Sequence, residues 1–166
     1  MAETLSAPNE DRTATLSKMA DLGVDLCRQG NWREGVRILG RVAESNHDGL
    51  ELTGRFYSYL GYGIAREENR VKEGLALCQH ALKKEFYQPD NYANLARTYL
   101  LSGRRLGAFK ALHRGLRAAP RHSALRVIRR EMGIRRRPLF PFFPRSHAIN
   151  RFLGRLRYAL FRQRRW

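Results

Sequence analysis

Acidic side chains nearly disappear from the last third of this chain. Residues 104–166 hold one, Glu131, against 19 lysines and arginines, whereas residues 1–103 hold 14 acids against 13 bases. The formal net charge of +17 therefore sits at one end, which implies a polyanionic partner there, either nucleic acid or an acidic membrane surface. Long apolar runs are also missing. The richest, Leu139 to Phe143, is broken by Pro141 and falls far short of the roughly 18–20 residues that cross a bilayer, so no transmembrane helix is expected. Residues 1–12 contain Glu3, Glu10 and Asp11 and no apolar core. They do not read as a secretory signal. A cytoplasmic protein is expected, with peripheral attachment to the inner face of the membrane left open by the basic tail. Cysteine is scarce: Cys27 and Cys78 lack CxxC spacing and neighbouring histidines, and read as small buried hydrophobes in a reducing compartment.

Catalytic and metal-binding patterns are absent as well. His47, His80, His113, His122 and His147 are dispersed and form no HxxxH or HExxH pair, so no metal site is expected. Gly61 and Gly63 fall inside a helical pattern rather than after a strand, which makes them packing slots and not a phosphate cradle. No nucleophile, base and oxyanion donor converge. The chain reads as a non-enzyme with no cofactor.

What the sequence does contain is a repeat. Pro89 to Pro120 places Tyr92, Leu95, Ala96 and Tyr99 on one helical face, then Gly103, then Ala108, Leu112 and Gly115, then Pro120. The large residues of a first helix meet the small slots of a second, Gly103 ends the first and Pro120 stops the second. Tyr57, Leu60, Gly61 and Ile64 begin an earlier copy, followed by Gly74, Cys78 and Ala81 one residue late, an insertion assigned to the turn around Glu67 to Arg70. Before that come Met19, Leu22, Gly23 and Leu26, the turn Gly30-Asn31-Trp32, then Gly35, Leu39 and Val42, with His47 in the slot of the closing proline. About four extra residues separate the first two copies, between Glu44 and Leu52. The offsets match the period of roughly 34 residues of the tetratricopeptide pattern.

The chain thus resembles the tetratricopeptide repeat (TPR) family. The resemblance implies an all-α fold, a right-handed α-solenoid of three helix hairpins over about 16–49, 54–88 and 89–120. Leu125, Ile128 and Met132 supply a capping helix for the open end. Seven helices are predicted, roughly 14–29, 32–45, 50–66, 71–85, 89–102, 105–118 and 121–132, after a flexible N-terminus over 1–13. Beyond the cap, 134–146 forms an Arg/Pro/Phe-rich extended strap whose Phe140, Phe142 and Phe143 need a docking place, on the solenoid itself or on a partner. Residues 147–166 read as a basic amphipathic helix. Its apolar face carries Ile149, Phe152, Leu153, Leu156 and Leu160, and Arg151, Arg155, Arg162 and Arg165 lie opposite. With Arg135, Arg136 and Arg137, these arginines are the candidate contacts for an anionic surface.

Family register also implies a peptide groove lined by the first helix of each hairpin, with candidate residues Val24, Arg28, Arg55, Tyr62, Arg66, Asp90, Arg97 and Leu101. Its arginines favour an acidic or C-terminal carboxylate peptide. Family members that clamp the acidic tails of heat-shock chaperones carry Lys and Asn in the first repeat, Asn in the second, and Lys and Arg in the third, where this chain has Ala20, Val24, Tyr59, Asp90 and Asn94, which argues against that use. Two functions follow: a non-catalytic protein–protein interaction adaptor whose tail contacts a membrane or acidic partner, or a nucleic-acid- or ribosome-associated protein that binds RNA through its basic third.

Overall fold

The computed structural model describes residues 7–46, 49–133 and 152. The chain divides into two units, Met1–Met132 and Gly133–Trp166. Seven helices fill the first: α1 (Ala7–Arg28), α2 (Trp32–Ser45), α3 (Gly54–Glu67), α4 (Val71–Lys84), α5 (Pro89–Leu101), α6 (Arg105–Ala118) and α7 (Ser123–Glu131). The fold is all-α, an α-solenoid of three TPR-like hairpins, α1/α2, α3/α4 and α5/α6, closed by α7. The strap and the basic helix lie outside the described residues, apart from Phe152, which is helical and exposed.

Small residues bring the two helices of each hairpin together. A Cβ on Gly61 would lie 2.7 Å from the Gly74 carbonyl oxygen, and one on Gly115 would lie 2.7 Å from Tyr92 Cβ. Any side chain at these slots would push the helices apart. Between hairpins, α1 touches α3, α3 touches α5 and α5 touches α7, yet α2 does not touch α4 and α4 does not touch α6. The first helices of the hairpins are therefore closer to one another than the second ones. The stack curves toward the side made by α1, α3 and α5, and this concave side is where a long partner segment meets all three hairpins at once.

The turns inside the hairpins repeat one geometry. Gly30, Asn69 and Gly103 adopt positive φ (96°, 57° and 70°), the left-handed step that ends a helix and that Gly, then Asn, tolerates best. In the first and third turns the closing bond spans five residues, Asn31 N–H to the Leu26 carbonyl and Arg104 N–H to the Tyr99 carbonyl, both 2.9 Å. In the second it spans six, from Arg70 N–H to the Ile64 carbonyl at 3.3 Å. The one-residue insertion of the second copy is taken up here.

Two helix starts differ from the pattern-based expectation. α1 begins at Ala7 rather than near residue 14, so the segment 7–13 is helical. Pro8 stands in the first turn, where no intrahelical acceptor exists for an N–H, and acidic Glu10 and Asp11 follow near the positive end of the helix. α3 begins at Gly54 rather than near residue 50 because Thr53 caps it, its Oγ1 accepting the Phe56 N–H at 3.2 Å. The preceding loop is closed by Asn46, whose side chain donates to the Leu50 carbonyl and accepts its N–H (2.9 and 2.7 Å). Leu52 from this loop is buried in the core.

Candidate functional site

Helical spacing builds the site on the concave side. On α3, Arg55, Tyr59, Tyr62 and Arg66 recur at i, i+4, i+7 and i+11, which keeps them within about 60° of one face. On α5, Asp90, Asn94, Arg97 and Leu101 recur at the same offsets. Aromatic rings bind the two stripes to the first hairpin. Trp32, at the start of α2, stacks on Tyr59 with ring centroids 6.0 Å apart and meets Tyr62 edge-on at 4.8 Å. The Arg66 guanidinium lies 5.5 Å over the Trp32 ring, and that of Arg97 lies 5.6 Å over the Tyr62 ring. The order Arg66, Trp32, Tyr62, Arg97 is thus a ladder of two rings flanked by two cations that draws on all three hairpins. Stacking occupies only the flat face of each guanidinium; Arg66 also pairs with Glu67 through Nε and Arg97 donates to Asn94, and their remaining in-plane N–H donors are left to bind something else.

The partly buried acid of this face is Asp90, and it is committed. Asp90 Oδ1 lies 3.1 Å from His122 Nε2, at the start of α7. Burial, and then the charge of Asp90, push the Tyr59 hydroxyl well above its ordinary range, so it keeps its proton at neutral pH. The Asp90–His122 contact ties the cap to the third hairpin. Asp25 and Glu67 hold the end of the face, pairing with Arg28 at 3.7 Å and with Arg66 at 3.1 Å.

The structure brings Arg28, Arg55, Tyr62, Arg66, Asp90, Arg97 and Leu101 to this side and removes Val24 from it. Val24 is 4% exposed and packs in the core with Trp32, Val36 and Leu39. Trp32 is buried in the same core, so the β-branched residue at that register closes the core instead of lining an opening. Ala20 and Cys27 are likewise buried, as are Ser58 and Ala93 between α3 and α5. Sequence reasoning missed Trp32, Tyr59 and His122, which come to the face from helix starts and a neighbouring register. The spacing of Tyr59 from Arg55 and Tyr62 is the signal that was available. Of the anionic-surface and apolar-tail candidates, all but Phe152 fall outside the described residues.

Among the described residues no group of three or more His, Cys, Asp or Glu side chains could hold a metal ion, and no helix is long and apolar enough to cross a membrane. Cys27 and Cys78 are free and buried, and burial pushes both thiols up to about 12. They are unreactive packing groups at neutral pH.

No protein-family model matches this chain, and no curated protein matches it in sequence. Solved structures do share its fold. PcrH in complex with the chaperone binding region of PopB is 17% identical with a TM-score of 0.52, over 72% of this chain and 93% of that one. PcrH from Pseudomonas aeruginosa is 18% identical with a TM-score of 0.51, over 72% and 87%. A T3SS complex from Aeromonas hydrophila is 21% identical with a TM-score of 0.54, over 79% and 84%. At these identities the likeness is one of fold.

Proposed function

We propose that the protein is a non-catalytic adaptor of the tetratricopeptide type that holds a segment of a partner protein along the side formed by α1, α3 and α5. The observation that carries this reading is the ladder Arg66, Trp32, Tyr62 and Arg97, continued by half-exposed Leu101. Side chains that combine flat apolar faces with unused donors are the composition of recognition surfaces, where Arg, Trp and Tyr concentrate binding energy. PcrH, a protein of like fold, is found in complex with the chaperone binding region of PopB, which supports carrying a segment-holding role over to this chain.

The test is site-specific photo-cross-linking of the full chain in its native cell. A cross-linking amino acid at Arg28 or Leu101, both exposed on the proposed face, is expected to capture a discrete partner protein. The same group at exposed Ala43 of α2 or Ala76 of α4 is expected to capture none. Equal capture from the second pair would overturn the assignment of the face.

The basic third of the chain contributes a second contact, with an anionic surface. Charge alone supports it: 19 bases against one acid after residue 103. Truncation after Gly133 is expected to abolish flotation with anionic liposomes. RNA binding that falls steeply with salt and is lost on the same truncation selects the nucleic-acid reading instead.

A further inference from the structure

The arginines of the first unit differ in how they are paired. Where they are exposed, several carry their own carboxylates: Arg37 with Glu34, and Arg70 with Glu68 at 2.8 Å and Glu73 at 2.6 Å. Among the described residues only two arginines are not exposed, Arg55 and Arg97. Neither has a carboxylate within ion-pair distance. Arg97 donates one N–H to the Asn94 side chain at 3.4 Å and otherwise lies over Tyr62. Arg55 Nε is buried with no hydrogen-bond partner at all. A guanidinium partly removed from water without a counter-charge is unfavourable, so the usual arrangement, with buried bases paired and exposed ones free, is inverted here. The inversion occurs on the concave side and at no other place among the described residues. Of the acids nearby, Asp90 is engaged by His122 and Glu85 by the backbone N–H of Arg55.

The missing carboxylates therefore belong to the occupant. Resting on the groove reading above, we infer that this face takes an extended, acidic peptide segment with two carboxylate side chains three residues apart, one for Arg55 and one for Arg97. The spacing follows from helix geometry. Arg55 and Tyr62 are seven residues apart on α3, an axial separation of roughly 10 Å, and Arg97 sits over Tyr62. A polyproline-type peptide rises about 3.1 Å per residue with three residues per turn, so its side chains at i and i+3 point the same way about 9 Å apart. A β-strand matches less well, because its i and i+3 side chains face opposite directions. The guanidinium of Arg97, held flat over Tyr62, presents its free edge for bidentate capture of one carboxylate. Arg55, whose side chain keeps partial exposure, meets the other with its terminal N–H groups.

The test uses the full chain and three fluorescein-labelled, Pro/Ala-rich peptides, read by fluorescence anisotropy. One has glutamates at i and i+3, one has them adjacent, and one has glutamines at i and i+3. The two acidic peptides have equal charge, so attraction by the basic tail is the same for both. The i, i+3 acidic peptide is expected to bind about tenfold tighter than either of the others. Arg55→Gln and Arg97→Gln are each expected to erase most of that preference. Arg97→Lys, which keeps the charge and loses the planar fork, falls between. Thermal melts verify folding, and if Arg55→Gln fails to fold, the Arg97 variants decide. Equal affinity for the two acidic spacings, or an unchanged preference in Arg97→Gln, overturns the inference. A photo-cross-linker at Leu101 separates this failure from failure of the groove. Glutamine peptide captured as well as the acidic one ends the acid requirement and leaves the groove standing, whereas capture of no peptide ends both.

Discussion

The two junctions between hairpins use the same architecture and different chemistry. Between the first and second, Trp32, Val36, Leu39, Phe56, Tyr59 and Leu60 form an apolar and aromatic core. Between the second and third, the fully buried groups are largely polar: Ser58, Asn91, Asn94 and Thr98, with Cys78. Here Asn94 Nδ2 donates to Ser58 Oγ at 3.1 Å, Thr98 Oγ1 donates to the Asn94 carbonyl at 2.8 Å, and Asn91 Nδ2 donates to the Glu85 carbonyl at 3.0 Å. The first junction draws its strength from area removed from water, which is large and non-directional. The second draws on directional bonds, of which the one from Asn94 to Ser58 holds only when α3 and α5 sit in one register. The junction that leans on register is also the one that sets Arg97 over Tyr62, the contact from which the spacing of the proposed carboxylates is measured.

Five measurements break or sharpen this contrast. The largest effect is expected at the apolar junction: Phe56→Ala, at a residue with no exposure, should lower urea stability by about 3–5 kcal/mol. A loss below about 1 kcal/mol would place the core elsewhere. At the polar junction Asn94→Ala should lower it by about 1–3 kcal/mol, because the Ser58 hydroxyl and the Arg97 side chain lose their partner. The double variant Ser58→Ala/Asn94→Leu should cost less than the sum of its single changes, since both ends of one bond are removed together. Strict additivity would mean that the bond does not act as a unit.

Alkali tests a property that the two junctions share. Both thiols rise from an ordinary value near 9 to about 12, first because of burial and, for Cys27, second because of nearby Glu67. Below pH 9 folded and unfolded chains both keep these protons. Between pH 9 and 12 only the unfolded chain loses them. Stability is therefore fully present below pH 9 and should fall by about 1.4 kcal/mol per pH unit for each thiol above it. In Cys78→Ala the slope of the urea midpoint against pH should be shallower in this range, and an unchanged slope would exclude that thiol. The smallest effect lies outside both junctions: Asn69→Ala places a Cβ-bearing residue without a helpful side chain at φ 57° and should cost about 1 kcal/mol, whereas Asn69→Gly should be neutral within a few tenths.

Much of the architecture was legible without coordinates. Glycine at 35, 61, 74 and 115, large residues at 57, 92 and 95, and turn formers at 30 and 103 recur at offsets that only stacked helical hairpins satisfy. Five of the seven helix starts fall within one or two residues of expectation. The candidate site was less legible. Its α3 and α5 arginines follow from register, but register alone places Val24 beside them, and it is buried. Which face of a helix remains open depends on what the neighbouring hairpin packs against it, and here Val24 shares its core with Trp32.

By itself, then, the order of residues determined the helices, their pairing, and the gathering of positive charge after residue 103, because each follows from local propensity, short-range periodicity or plain counting. Only the tertiary structure decided that Trp32 and Tyr62 would support the flat guanidinium groups of Arg66 and Arg97, that Asp90 would be engaged by His122, and that Arg55 Nε would be buried without a hydrogen-bond partner. These are relations between residues 30 or more positions apart, and they depend on distances and desolvation that no local pattern encodes.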